Sequence, residues 1–130
     1  MSGIFNSKLD SILEGTSRSF YLSLKELPRA IRPQISLLYM LARTSDTIAD
    51  SEGGEPKELM EALESYDDFT QGRSSDAPAL SSFSRFQTNK SEGLLLENVE
   101  AVASRIEGFS DSDQKAIRSC LGIIISGQIL

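Results

Sequence analysis

The chain has 130 residues, 39% hydrophobic and 25% charged, with a net charge of -6 from 19 acids, 13 bases and no histidine. That is enough for one small domain with a core, or for part of a larger one. A pI near 4.6 excludes non-specific nucleic-acid binding, since nothing would replace the counterions of a phosphate backbone, and any phosphate site must be local.

Cys120 is the single cysteine, which rules out an internal disulfide or a thiolate metal centre within the chain and suits a reducing cytoplasm. The start "MSGIFNSKLD" lacks the basic and apolar parts of a signal peptide, and no run approaches the roughly 18 apolar residues of a membrane span. The protein is expected to be soluble or peripheral to a membrane.

Apolar residues recur at three and four rather than two, as in Ile4, Phe5, Leu9, Ile12 and Leu13, so the expected fold is an all-α helical bundle. A first helix is predicted over residues 4 to 14, ending at Gly15 as a left-handed terminus. A second, "SRSFYLSLKEL", puts Phe20, Leu24 and Leu27 on one side and stops before Pro28. Pro33 suits the first turn of a third helix, whose face is traced by Ile35, Leu38, Tyr39, Ala42, Ser45 and Ala49.

"SEGGEP" (51–56) breaks the chain, and Pro56 opens a fourth helix lasting to about Phe69. Residues 72–82 read as loop, with Leu80, Phe83 and Phe86 suggesting a short helical turn that packs back on the core. One helix is expected from Glu92 to about Ile106, with Leu95, Leu96, Val99, Val102, Ala103 and Ile106 inward and Gly108 closing it. The last helix starts at "SDSDQ", capped by Ser110 or Ser112, with Asp111 and Asp113 at its positive end. It finishes "CLGIIISGQIL" with no stop signal, which suggests that residues 1–130 form a partial domain.

Four acidic pairs stand four residues apart: Asp10/Glu14, Asp46/Asp50, Glu64/Asp68 and Glu107/Asp111. Chance supplies about three at this acid content, so spacing selects none of them. Three lie in polar segments and read as solvated faces or helix ends. Asp46/Asp50 instead follows a run that is apolar from Ile35 to Ala42, with Arg43 three residues before Asp46. One explanation is an intrahelical Arg43–Asp46 ion pair at the wet end of a core helix. The other is a shelf for Mg²⁺, which takes one or two carboxylates and completes its octahedron with water and substrate phosphates. Arg43 and Arg18 could then grip a diphosphate as forked donors, and metal and guanidinium together would stabilise it as a leaving group beside an apolar cavity.

The stretch "SRSFYLSLKELPRAIRPQISLLYMLARTSDTIAD" resembles the opening of the squalene/phytoene synthase family, the head-to-head prenyl synthases. The likeness joins "SRSF", "LP" before a long helix and Y-x-x-x-R-x-x-D-x-x-x-D, and it is close from Ser17 to Asp50. "SEGLLLENVEAVASRIEGFSDSDQKAIRSCLGIIISGQIL" resembles the region that follows in bacterial members.

The resemblance implies the N-terminal part of an isoprenoid-synthase-type fold. It gives Asp46 and Asp50 to Mg²⁺ and prenyl diphosphate, Arg18 and Arg43 to phosphate contact, Ser17 to the diphosphate neighbourhood, and Phe20 and Tyr39 to the substrate cavity. Tyr39, Arg43, Asp46 and Asp50 are the catalytic candidates. The implied reaction joins two farnesyl diphosphates into a thirty-carbon isoprenoid. Thr47 is closer to the squalene branch than to the phytoene branch, and NADPH is required only if the product is reduced to squalene.

An apolar product would allow contact with a membrane surface. The family also needs a second aspartate-rich motif facing the first, and none is found after Asp50. The chain alone is therefore expected to be catalytically incompetent or an incomplete diphosphate binder, with a non-catalytic helical relative or interaction module as the alternative.

Overall fold

The computed structural model describes residues 7–50, 55–78, 80 and 90–129, apart from the side chains of Arg18 and Phe20. Seven α-helices and one 3-10 turn make up the secondary structure of these residues, with no strand, and the all-α expectation holds. They are α1 (Ser7–Thr16), α2 (Arg18–Lys25), α3 (Arg32–Ala49), α4 (Pro56–Thr70), α5 (Lys90–Glu97), α6 (Val99–Ala103), the 3-10 turn Ser104–Gly108, and α7 (Asp111–Ile129). No described helix is long and apolar enough to cross a membrane.

Helix α1 runs through Gly15 to Thr16, so Gly15 is not the left-handed terminus its position suggests; among the described residues that conformation belongs to Gly72, with φ 81°. Gly15 is there for closeness. A Cβ on it would collide with the side chain of Ser91, and its absence lets the start of α5 lie against α1. The turn after α2 is closed by Arg32, whose guanidinium donates to the Lys25 carbonyl at 2.6 Å and the Leu27 carbonyl at 2.7 Å. These carbonyls sit at a helix end, where they lack intrahelical donors.

Both prolines expected to open helices do so, Pro33 in the first turn of α3 and Pro56 in that of α4. Residues 51–54, Phe83 and Phe86 lie outside the described residues, while Leu80 is buried as expected. The helix expected over 92–106 is broken in two. At Asn98 the side-chain amide donates to the Leu94 carbonyl at 2.8 Å, and the backbone leaves helical geometry with φ -116° and ψ 24°. An Asn side chain that competes for local carbonyls in this way favours a break. The inward residues Leu95, Leu96, Val99, Val102, Ala103 and Ile106 are nevertheless all buried. Ser110 caps α7, its hydroxyl accepting from the Asp113 N–H at 3.2 Å.

Helix α3 is the hub, in contact with α2, α4, α5, α6 and α7. Its most buried side is Leu37, Met40, Leu41, Thr44 and Ile48, roughly opposite the face traced from the sequence. Of that traced face, Ile35 is 37% exposed, Leu38, Tyr39, Ala42 and Ala49 are half-buried, and only Ser45 is buried. A helix that is apolar on both sides gives the 3.6-residue period nothing to choose between.

Helices α3 and α7 run parallel, side by side. Gln34, in the first turn of α3, donates to Asp113, in the first turn of α7, at 3.1 Å. At the other end Gln128 lies 3.4 Å from Asp46. Helix α4 is tied to α7 by a reciprocal pair, Gln71 Nε2 to the Arg118 carbonyl at 2.6 Å and Arg118 Nε to the Thr70 carbonyl at 2.9 Å. It is tied to α3 by Tyr66, fully buried, whose hydroxyl donates to the Leu41 carbonyl at 2.8 Å. Burial pushes the Tyr66 phenol well above its usual pKa, against a smaller opposing hydrogen bond with Thr44.

Two stability predictions follow from these contacts. Gly15→Ala should destabilise the fold by about 1–3 kcal/mol, because α1 and α5 cannot separate without opening the core; a urea titration reads it. The neutral phenol of Tyr66 is favoured by folding, so its contribution is intact below pH 10 and declines above it, at about 1.4 kcal/mol per pH unit, as the unfolded tyrosine ionises. Relative to wild type, Tyr66→Phe should lose about 1 kcal/mol at pH 7 and show a shallower fall in stability above pH 10.

Candidate functional site

Helix α3 ends at Asp50, where the backbone turns to φ -95° and ψ 10° and the Asp50 N–H donates to the Asp46 carbonyl at 2.9 Å. Both aspartates are exposed, and no basic residue lies in the last turn. Three sources of negative potential therefore meet: two carboxylates one turn apart and the carbonyl end of an eighteen-residue helix. Like charges at this spacing cost a few tenths of a kcal/mol, and an anion at a helix C-terminus costs about 0.3–1 kcal/mol more. A cation would relieve all three.

The intrahelical Arg43–Asp46 ion pair is not formed. Arg43 Nη2 instead donates to Glu92 Oε1 of α5 at 2.5 Å, with the Arg43 side chain 34% exposed and that of Glu92 17%. Asp46 has the Gln128 amide at 3.4 Å, at the long edge of hydrogen bonding, and no ion pair engages either aspartate among the described residues. The acids at the end of α4 provide the contrast. Asp67 and Asp68 are both taken up by Arg73, at 2.7 and 2.9 Å, and Asp68 first, then Asp67, holds that guanidinium above its usual pKa.

Of the other acidic pairs, Glu64/Asp68 and Glu107/Asp111 are exposed, in keeping with solvated faces or helix ends. Asp10/Glu14 departs from that reading. Asp10 is only 8% exposed; α1 lies against both α2 and α5, and Asp10 shares its buried side with Leu9 and Leu13.

Ser17 stands at the joint of α1 and α2, half-buried, its carbonyl accepting from the Tyr21 N–H at 2.9 Å. Arg18 and Phe20 are placed on α2 by the backbone. Tyr39 is half-buried on α3, two turns before Asp46, and packs against the core. At 100° per residue, Ile35, Leu38, Tyr39, Ala42 and Asp46 fall on one face, so an apolar stripe that is only partly covered leads to the first aspartate. Arg43 flanks that stripe.

Two neighbours were not foreseen. Glu92 reads in sequence as the start of an apolar helix, and its one signal is an acid on the flank of "GLLLE". Gln128 falls in the unbroken "GIIISGQIL", where nothing points across to α3.

The carboxylates fit a partly hydrated Mg²⁺, which needs only one or two of them beside water and phosphate oxygens. They do not form a self-sufficient cage, since no group of three acidic, cysteine or histidine side chains able to hold a metal occurs among the described residues. A cleft of about 370 Å³ lies at the far end of α4, between Phe69, Thr70, Glu100, Glu107 and Arg118. It is a poorer place for a diphosphate, because its one arginine is already committed to the Thr70 carbonyl and to Gln114 and two glutamates line it.

No curated protein and no solved structure gave a match to this chain. The family model for squalene/phytoene synthase matches residues 13–122, a span that contains α2, α3, Arg43, both aspartates and Glu92. That match covers most of the chain and agrees with its all-α architecture, and the protein therefore belongs to the squalene/phytoene synthase family, whose members are transferases of isoprenoid biosynthesis.

Proposed function

We propose that the end of α3 is the Mg²⁺-dependent diphosphate site of a head-to-head prenyltransferase that condenses two farnesyl diphosphates into a thirty-carbon isoprenoid, squalene or a close relative. The observation that carries this reading is the pair of exposed carboxylates at the negative end of α3, without an ion-pair partner among the described residues and with Arg43 directed to Glu92 instead. In this role Asp46 and Asp50 hold the metal, which when bound offsets the charge that grows on a departing diphosphate. Arg43 supplies donors to phosphate oxygens, as a guanidinium fork does. Tyr39, Ala42, Leu38 and Ile35 offer the prenyl chain an apolar track from the aspartates.

Ser17, Arg18 and Phe20 are assigned to the same substrate through the family motif: Ser17 and Arg18 near diphosphate, Phe20 along the chain. Coupling two prenyl units forms a carbon–carbon bond with loss of a proton and one diphosphate, and conversion of the coupled thirty-carbon diphosphate to the final product releases the second. A reductant such as NADPH enters only if the product is squalene. An apolar product of this size partitions into lipid, which supports peripheral contact with a membrane.

A second reading is favoured by one observation, the lack of a third acidic group beside Asp46 and Asp50 among the described residues. On that reading the chain is a non-catalytic helical relative that retains the first half of the site. Incubation of the full-length protein with farnesyl diphosphate and Mg²⁺ separates the two: a thirty-carbon product with diphosphate release supports the transferase, and binding without product supports the relative.

Under either reading, calorimetry should find farnesyl diphosphate binding that depends on Mg²⁺, weakened at least about tenfold in Asp46→Asn and Asp50→Asn. The same two variants should be slightly more stable than wild type in metal-free buffer, by a few tenths of a kcal/mol, because each removes a repulsion at the helix end. Binding that persists unchanged in EDTA, or variants that unfold at lower temperature without metal, would contradict the assignment.

A further inference from the structure

Resting on that reading of the site, we infer that Glu92 is a positioning residue that holds the Arg43 guanidinium in the orientation from which it meets a diphosphate. Three observations carry this. The contact is close and directional, from Arg43 Nη2 to Glu92 Oε1, and it joins two helices rather than neighbours on one.

Glu92 cannot easily follow a moving arginine, because the start of α5 is fixed on both sides of it. Ser91 lies against Gly15 of α1 with no room for a Cβ between them, and Gly93, Leu95 and Leu96 are buried. The acid also sits in the first turn of α5.

The remaining donors of Arg43 point to the same role. Its Nε is buried and has no hydrogen-bond partner among the described residues, although a buried N–H ordinarily finds an acceptor. Glu92 therefore engages the guanidinium from α5, while about a third of the Arg43 side chain remains exposed on the flank of the aspartate face. An unrestrained arginine has many rotamers to lose on binding; one held by an acid on a rigid helix has fewer, and a planar fork benefits most from being pre-set. A carboxylate placed only to compete with phosphate would need freedom to withdraw, which the packing around α5 denies it.

The test uses the whole chain, inorganic pyrophosphate with Mg²⁺ as the probe, and the side-chain Nε–H resonance of Arg43. In Glu92→Ala, pyrophosphate should bind on the order of tenfold more weakly, and the Arg43 Nε–H should exchange with water at least about tenfold faster. Glu92→Gln keeps an acceptor and drops the charge, and should bind within about threefold of wild type. In an Arg43→Ala background, Glu92→Ala should have no further effect on binding.

Thermal melts confirm that each variant is folded before it is compared. Unchanged Arg43 exchange, equal or tighter pyrophosphate binding in Glu92→Ala, or an undiminished effect without Arg43 would overturn the role of Glu92 while leaving the site intact. A wild-type chain that binds no pyrophosphate in Mg²⁺ overturns the reading of the site, and this role with it.

Discussion

Helix α3 is gripped by α2, α4, α5, α6 and α7, and it ends in two aspartates that the backbone cannot move apart. The grip has identifiable parts. Tyr66 fixes its middle through the Leu41 carbonyl, Gln34 and Gln128 set its register against α7 at both ends, and Arg43 joins it to α5. Two of its buried hydroxyls, Thr44 and Ser45, return their hydrogen bonds to the Met40 and Ala42 carbonyls. The charge at its end is thus built in by packing elsewhere. The packing holds like charges together at a small cost in stability.

The position of the arginine decides what the aspartates can do. Had Arg43 bonded to Asp46, the pair would be a neutralised helix end, like Asp67 and Asp68 with Arg73. Glu92 draws it across to α5 instead, so the cationic donor and the anionic shelf stay separate and adjacent. The proposed metal–diphosphate complex would use that arrangement, with carboxylates for the metal and guanidinium N–H groups for the outer oxygens. The apolar stripe from Ile35 to Ala42 adds a hydrocarbon-compatible surface on the same face of the helix, with a half-buried aromatic, Tyr39, in its middle.

Much of the fold could be read in advance, because its signals are local. The prolines at 33 and 56 open helices, Ser110 caps α7, and the inward residues of the 92–106 segment keep their burial even though Asn98 splits the helix. What escaped depends on contacts distant in sequence. Gly15 resembles a terminator until Ser91 is seen against it, Asp10 resembles a surface acid until the fold buries it, and Glu92 gains meaning only from Arg43. The faces of α3 were exchanged because both are apolar; which one meets the core is settled by its neighbours. The aspartate pair is singled out in sequence by its surroundings and its family motif, since its spacing alone is matched by three other pairs.

The most direct test of the central claim is paramagnetic broadening of backbone amide signals by Mn²⁺ in place of Mg²⁺, with pyrophosphate present. Nineteen acids compete for the ion, so its choice is informative. If the end of α3 is the metal site, signals from Asp46 to Asp50 and from the neighbouring Gln128 broaden first, at less than one equivalent. Broadening spread evenly over the acidic surface, or centred on Asp67 and Asp68, would contradict it.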